Sequence, residues 1–413
     1  MLKRFRIETK ERICLATNQI YRACPEICHT KGYGIAILLR RGGEGGGGAV
    51  SINENADPTV RDDFVQAVPR IAAFGRPKDL NAFQTALLPK SLTMIVENGR
   101  FVLGTWQGIY LAGSNPSEKS TNYVHDLTLI YIKLTSKTRS NRMTYEANTR
   151  GVHRIDTTIR NGLFPEKSDD ERQRKNQIIC LASLHTSASM QIADRIDGFE
   201  KQFESTLNRI VPERWNKEFL THTYEGPDDM PGHLKSSLAG VGFLAPADVL
   251  VPDGPIGINL NEHRNCGGWG GGHRRNIVGL RVDSRHIKAS ETLRMSSGNI
   301  TDRLRTFVEA ALKRTSEDER RPSVLSLTVL DAAAAIKIVS SNERGEDLFA
   351  CFRTLGGGVN GGATLAGKTA AVPCLGSKLE LGEDQALHLV SAPRRTAIAV
   401  HAALIVSEDK KSE

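Results

Sequence analysis

The chain has 413 residues, 39% hydrophobic and 25% charged, a length that suits two to four domains with cores of their own. No apolar run approaches the roughly 18 residues of a membrane helix, which excludes a helical span, and seven scattered cysteines with no secretory signal ahead of them suit a reducing compartment. The net charge of +8 favours phosphate-bearing partners, either a small anionic molecule or a nucleic acid.

In chain order, Met1 to Arg6 is basic, but Glu8 and Glu11 follow at once and the first strand pattern begins near Phe5. A removable leader therefore has no room, and a cytoplasmic location is expected. Apolar strands with a small-residue crossing run from Ile35 to Ile52, an amphipathic helix from Pro58 to Val68, and a strand from Ser91 into the tight turn Asn98-Gly99. Leu127 to Ile132 closes this first unit as a strand.

The pattern then recurs. Ile178 to Ile192, Phe199 to Ile210 and the stretch Ala247 to Gly254 repeat the crossing, the helix and the strand entering a turn. Val324 to Ile338, Glu346 to Phe352, Ser377 to Gly382 and Ala397 to Ile405 give a fainter third instance. The expected architecture is α+β, three tandem copies over 1–138, 139–284 and 285–408, with a charged tail at 409–413. The glycine tract Gly42 to Gly48 lies inside the first copy, where the second has His185-Thr186-Ser187-Ala188.

Several polar groups stand out. Asn53, Glu54 and Asn55 end a strand, where three consecutive polar side chains have no packing use and could orient a substrate or accept a proton. Asp57-Pro58 is a helix start, and Asp57 reads equally as a cap or as a ligand. His222 and His233 flank a segment broken by Gly226, Pro227, Pro231 and Gly232, which places them on a loop rather than on one helix face. Pro231 suits a first helical turn, whose amides near His233, Lys235 and Ser236 could hold a phosphate. With His185 these make three imidazoles, the minimum for an open metal site on one divalent ion, zinc or magnesium. They serve equally as acid, base and phosphate donors without a metal. Trp106, between Gly104, Thr105, Gln107 and Gly108, fits a hairpin on which a ligand closely approaches the backbone. The glycine-rich stretch His263 to His273 reads as a surface insertion.

On these motifs the sequence resembles the YjbQ-like family, associated with a secondary thiamine-phosphate synthase activity. The resemblance rests on Ile52-Asn53-Glu54-Asn55-Ala56-Asp57-Pro58 and Gly104-Thr105-Trp106-Gln107-Gly108-Ile109 in the first copy. In the second it rests on His185-Thr186-Ser187-Ala188 and His222-Thr223-Tyr224-Glu225-Gly226-Pro227-Asp228-Asp229-Met230-Pro231-Gly232-His233. The third copy carries neither set, with Asp331 at the histidine position. The resemblance implies a homotrimeric β-sandwich-like α+β domain, and three fused copies then imply an intramolecular pseudo-trimer acting as a monomer. Complementary losses imply one surviving site, in which Glu54 and Trp106 face His185 across the boundary between copies one and two. It further implies a transferase in which a thiazole phosphate displaces diphosphate from an aminopyrimidine. His185, His222, His233, Glu54, Asn53 and Asn55 would be the catalytic groups, and Trp106, Gln107, Thr105, Thr186, Lys235, Ser236 and Glu225 would bind a phosphorylated small molecule. The rival expectation is a non-catalytic subunit of a larger, RNA-containing assembly, which the basic charge also suits.

Overall fold

The computed structural model describes residues 1–41, 48–72, 89–113, 122–165, 174, 177–195, 198–251, 254–266, 272–312, 321–341, 348–350, 365, 367–391 and 397–407. The expected glycine tract at 42–47, the glycine-rich loop at 267–271, most of the third copy's helix near 346–352 and the tail at 409–413 lie outside these residues.

The first repeat contains β1 (Leu2–Thr9), β2 (Ile13–Leu15), α1 (Thr17–Ala23), β3 (Tyr33–Arg40), β4 (Ala49–Glu54), α2 (Pro58–Ala72), β5 (Ser91–Glu97), β6 (Arg100–Phe101), β7 (Gln107–Ala112) and β8 (Tyr123–Lys133). The second has β9 (Arg139–Ala147), β10 (Gly151–Arg154), α3 (Asp156–Leu163), β11 (Ile178–Ser183), β12 (Ala188–Asp194), α4 (Phe199–Ile210), α5 (Trp215–Glu218), α6 (Asp229–Ala239), β13 (Gly242–Pro246), β14 (Ile256–Glu262) and β15 (His273–Val282). The third has β16 (Ile287–Met295), β17 (Gly298–Asn299), α7 (Thr301–Ala311), β18 (Pro322–Val329), β19 (Ala335–Ser340), β20 (Thr369–Leu375), β21 (Lys378–Leu379), β22 (Gln385–Val390) and β23 (Ile398–Val406).

All pairings among the described residues are antiparallel, and one order recurs three times. The larger sheets run β1-β8-β3-β5-β6, β9-β15-β11-β13 and β16-β23-β18-β20-β21, and the smaller ones β2-β7-β4, β10-β14-β12 and β17-β22-β19. Strands of the larger sheets carry apolar residues on both faces, as a sheet buried on two sides requires. One face of β3 and β8, with Leu38, Leu127 and Leu129, closes the first repeat's own core. The other face, with Ile35, Ile37, Ile130 and Ile132, meets Ile178, Cys180, Leu244 and Leu280 of the second repeat and Val324, Ala403 and Ile405 of the third. This central cluster joins the three sheets into an intramolecular pseudo-trimer, with each fully buried aliphatic side chain contributing about 1.5–3 kcal/mol.

Two strand expectations shift. The stretch from Ala247 is a 3-10 turn, Ala247–Leu250, that follows β13. The adjacent Val249 and Leu250 are both buried, which a turn permits and a half-exposed strand does not. In the third repeat the tight turn precedes Lys378, at Gly376 in the left-handed region with φ 55°. The hairpin turn at Asn98 and Gly99, with φ 47° and 81°, agrees with expectation. No helix among the described residues is long and apolar enough to cross a membrane.

Candidate functional site

The first two repeats meet where the end of β4 faces α6. Asn53 is buried and donates to His233 O at 2.7 Å and to Ser237 Oγ at 2.6 Å, and its own Oδ1 accepts from the Glu54 amide at 2.7 Å. It therefore clamps the boundary, with both its amide nitrogen and its oxygen engaged within the protein. Asn55 likewise serves the fold, since its amide donates to Trp106 O at 2.7 Å and its side chain to Gln107 O at 3.0 Å, fastening the hairpin to β4. Gln107 in turn donates to His185 O at 2.9 Å and to Ser183 O at 3.2 Å, so a first-repeat amide holds the end of second-repeat β11.

Beyond this clamp lies a chain of carboxylates and imidazoles. Asp57 caps α2 through Oδ1, which accepts from the Thr59 amide at 2.8 Å, while its Oδ2 accepts from Tyr224 Oη at 2.7 Å and meets His222 Nδ1 at 3.1 Å. The cap reading of Asp57 is met by Oδ1, while Oδ2 supports the His222 ring from behind. The opposite nitrogen of that ring, Nε2, is 2.8 Å from Asp229 Oδ2. Asp229 Oδ2 is also 3.6 Å from His233 Nε2, and Glu54 Oε2 is 4.0 Å from that same nitrogen. His233 Nδ1 lies 3.2 Å from Thr186 O, a carbonyl that can only accept from that nitrogen. Thr186 Oγ1 donates to Glu54 at 3.3 Å. The His222 loop is anchored from the first repeat by buried Asp63, which accepts from the Thr221 and His222 amides at 2.8 Å each.

Charge follows this geometry. Burial would lower the His222 pKa, but its hydrogen bonds to the Asp229 and Asp57 carboxylates outweigh it and raise it. Burial likewise opposes ionisation of Asp229, and the two imidazoles hold its carboxyl well below the usual range. The Glu54 carboxyl is pushed up by burial, with the His233 ring opposing.

His222, Asp229 and His233 each offer a ligand atom, all within 4.8 Å of one another and all buried. Two imidazoles and a carboxylate, with a second carboxylate beside them, fit a small divalent cation. Asp57 and the Thr186 carbonyl on the Nδ1 atoms are the orienting partners that such ligands need.

His185 is not in this trio. Its Nε2 faces the guanidinium of Arg275, which is paired with Glu262 at 2.5 Å, and burial plus that cation lower its pKa to about 3. An imidazole turned toward a guanidinium is not placed to ligate the same ion, so Asp229 takes the position expected for His185. Lys235 and Ser236, expected to hold a phosphate, lie within the packed helix. Asp229 to Leu238 of α6 are all buried, Lys235 Nζ donates to Asn208 at 2.5 Å, and Ser236 donates to Ala188 O at 3.0 Å. His233 lies on this helix, because Pro231 in its first turn removes no helical hydrogen bond. Glu225 is at the rim, paired at 3.2 Å with Arg264, which also meets Asp229 Oδ1 at 2.8 Å. Thr105 is exposed at the hairpin tip, and Trp106 and Tyr224 are 60% and 70% exposed, with the Tyr224 ring edge-on to His222 at 4.8 Å between centroids.

The other two boundaries differ. Register aligns Glu54 opposite Gln107 with Asp194 opposite Ile256 and Ser340 opposite Gln385. At the second boundary Asp194 is consumed by Lys368, 2.7 Å away with both side chains fully buried. Among the described residues the histidine-carboxylate trio occurs once.

The fold and this boundary site define a fused, threefold α+β protein with a polar centre between subunit-like repeats. The profile described as UPF0047 protein YjbQ-like matches residues 3–125 and 141–252, more than half the chain, and the chain belongs to that family. It is 35% identical to UPF0047 protein YjbQ of Escherichia coli O157:H7 over 133 residues, covering 30% of this chain and 88% of that one. It is 38% identical to UPF0047 protein YugU of Bacillus subtilis over 82 residues, 18% of this chain and 62% of that one. A solved structural-genomics target from C. acetobutylicum aligns over its full length and 32% of this chain, at 23% identity and a TM-score of 0.26.

Proposed function

We propose that the boundary between the first and second repeats is a single catalytic centre acting on a phosphorylated small molecule, with one divalent cation held by His222, Asp229 and His233. The observation that carries this reading is the orientation of the rings: each Nδ1 is occupied by an acceptor, and each Nε2 is directed at Asp229. A bound ion would supply electrostatic stabilisation of phosphoryl oxygens or of a departing diphosphate. Glu54, with its carboxyl pKa raised and its Oε2 near His233, is the group placed to take or return a proton. Trp106 and Tyr224 offer flat surfaces to a ring, and Arg264 the nearest cation to a phosphate.

The family resemblance makes thiamine-phosphate synthesis the first reaction to assay, as diphosphate release from aminopyrimidine methyl diphosphate and thiazole phosphate. The expected result is one zinc or magnesium ion per chain by elemental analysis, lost in Asp229→Asn, and a fall in kcat of about 100-fold or more in Glu54→Gln with metal retained. No bound metal after exposure to either ion, or unchanged turnover in Glu54→Gln, overturns the proposal. Assembly with RNA would instead appear as retention of nucleic acid through purification at low salt.

A further inference from the structure

The three groups that could hold a cation lie beneath the surface, with His222, Asp229 and His233 only 2%, 1% and 2% exposed. An ion reaches them only if something on the solvent side moves. The turn Thr223 to Gly226 lies there, leading from His222 to α6, the helix that carries Asp229 and His233. Tyr224 sets its ring edge-on to that of His222, 4.8 Å between centroids, while remaining largely exposed. Glu225 is exposed too, and its partner Arg264 rests on Asp229 Oδ1 at 2.8 Å. The turn and its partner thus cover two of the three groups.

This turn is fastened on both sides of the boundary more firmly than within itself. Tyr224 Oη donates to Asp57 Oδ2 at 2.7 Å, and Asp57 is fixed in the first repeat by capping α2. Arg264, just past β14 in the second repeat, donates from Nη1 to Glu225 Oε2 at 3.2 Å and from Nη2 to Glu225 O at 2.8 Å. Arg264 is held in turn, since its amide donates to Glu262 Oε1 at 2.9 Å and the next amide, of Asn265, to Asp228 Oδ2 at 2.5 Å. Within the turn, Gly226 N is 3.4 Å from Thr223 O, and Asp229 N is 3.4 Å from Gly226 O, both long for hydrogen bonds. Gly226 has φ 128°, a conformation open to glycine and to few other residues. Contacts between exposed side chains compete with water and are individually weak, so a segment held mainly by two of them opens more readily than its surroundings.

We infer that the turn 223–226 is a latch over the candidate centre, hooked to the first repeat by Tyr224 and to the second by Glu225, and that entry to the centre requires both hooks to release. As a gate to a metal it rests on the cation site proposed above. A latch of this kind keeps bulk water from the centre while closed, and it makes the rate of exchange, not the affinity, the property that the two side chains set.

Two measurements on the full chain test the latch. Zinc uptake and release, followed by stopped flow against a chromogenic chelator, should both accelerate about fivefold in Tyr224→Phe and in Glu225→Gln, the factor that loss of one hydrogen bond gives to a local opening, with Kd within about twofold of wild type. The double variant should exchange zinc about 25-fold faster, because both hooks must release. In the metal-free chain, modification of His222 and His233 by diethyl pyrocarbonate, read by peptide mass spectrometry against exposed His29, should rise by the same factors. Exchange and labelling both unchanged in the double variant overturn the latch. So does a change in Kd as large as the change in release rate, which would mean that these side chains hold the ion and do not gate it. Faster labelling in a chain that binds no zinc sinks the cation site and leaves a latch over the two rings. Bound zinc with unmoved exchange and labelling sinks the latch and leaves the cation site.

Discussion

Asn53, in the first repeat, donates a hydrogen bond to the main-chain oxygen of His233, in the second, so one amide side chain sets the distance between β4 and the helix that carries an imidazole of the candidate centre. Neither half of that centre is complete without the other repeat. Asp57 and Glu54 come from one side, and His222, Asp229 and His233 from the other.

The His222 ring, between two carboxylates, makes stability depend on pH. Its pKa is raised in the folded chain above an unfolded value near about 6.5, so its contribution is complete below that value and is lost as pH rises through the folded pKa. Urea unfolding from pH 6 to 9 should show stability falling over that window, and Asp229→Asn should flatten the profile. Divalent-ion affinity should rise over the same window, since the ion replaces the proton on Nε2.

Gln107 and Gln385 are equivalent clips. Gln107 holds Ser183 O at 3.2 Å and Gln385 holds Arg40 O at 2.9 Å. Changing either to Leu should cost about 1–3 kcal/mol, because a buried carbonyl loses its donor. Only Gln107→Leu should also weaken metal binding, as measured by competition with a chromogenic chelator.

The fully buried pair Asp194 and Lys368 should be expensive to break on one side only. Asp194→Ala is expected to cost about 3–5 kcal/mol, while Asp194→Ala combined with Lys368→Met should recover most of the loss. Equal destabilisation in the single and double variants would contradict this account.

Trp106→Ala should leave the unfolding free energy within about 0.5 kcal/mol of wild type, since the side chain is largely exposed, yet weaken substrate affinity. Equal loss of stability and affinity would mean that the ring packs and does not bind.

Light scattering should give a particle of the chain mass, 45.2 kDa, because the apolar faces that a single-domain relative would join between subunits are already joined around Ile37, Leu280 and Val324. A threefold larger particle would place a further interface elsewhere on the surface.

Much of the fold is legible in the sequence because its signals are local. The helix over Phe199–Ile210 follows from apolar periodicity, and the hairpin at Asn98-Gly99 from turn chemistry. The run from Ala247 misleads, since alternating apolar residues fit a buried 3-10 turn as well as a strand. At the site, pairing of Glu54 with the His222 and His233 segment follows from complementary losses between repeats. Which polar groups face the centre does not, because that is decided by neighbours distant in sequence. His185 is turned aside by Arg275, and Asn53 is used up by α6. Asp229 carries a readable signal, lying four residues before His233 and therefore on the same helix face, but it shows only once Pro231 and Gly232 are allowed inside a helix.

Covalent joining of the repeats at Lys133 to Arg139 and Val282 to Ile287 has a consequence for how such a molecule can change. In an assembly of identical chains, any substitution appears at every interface simultaneously, so a residue harmful at one place and useful at another cannot be kept. Here the place that is Lys90 in one repeat is Val241 in the next and Lys368 in the last, and each faces different company. Fusion removes the symmetry that would otherwise tie the three positions together, and each junction is free to acquire its own chemistry.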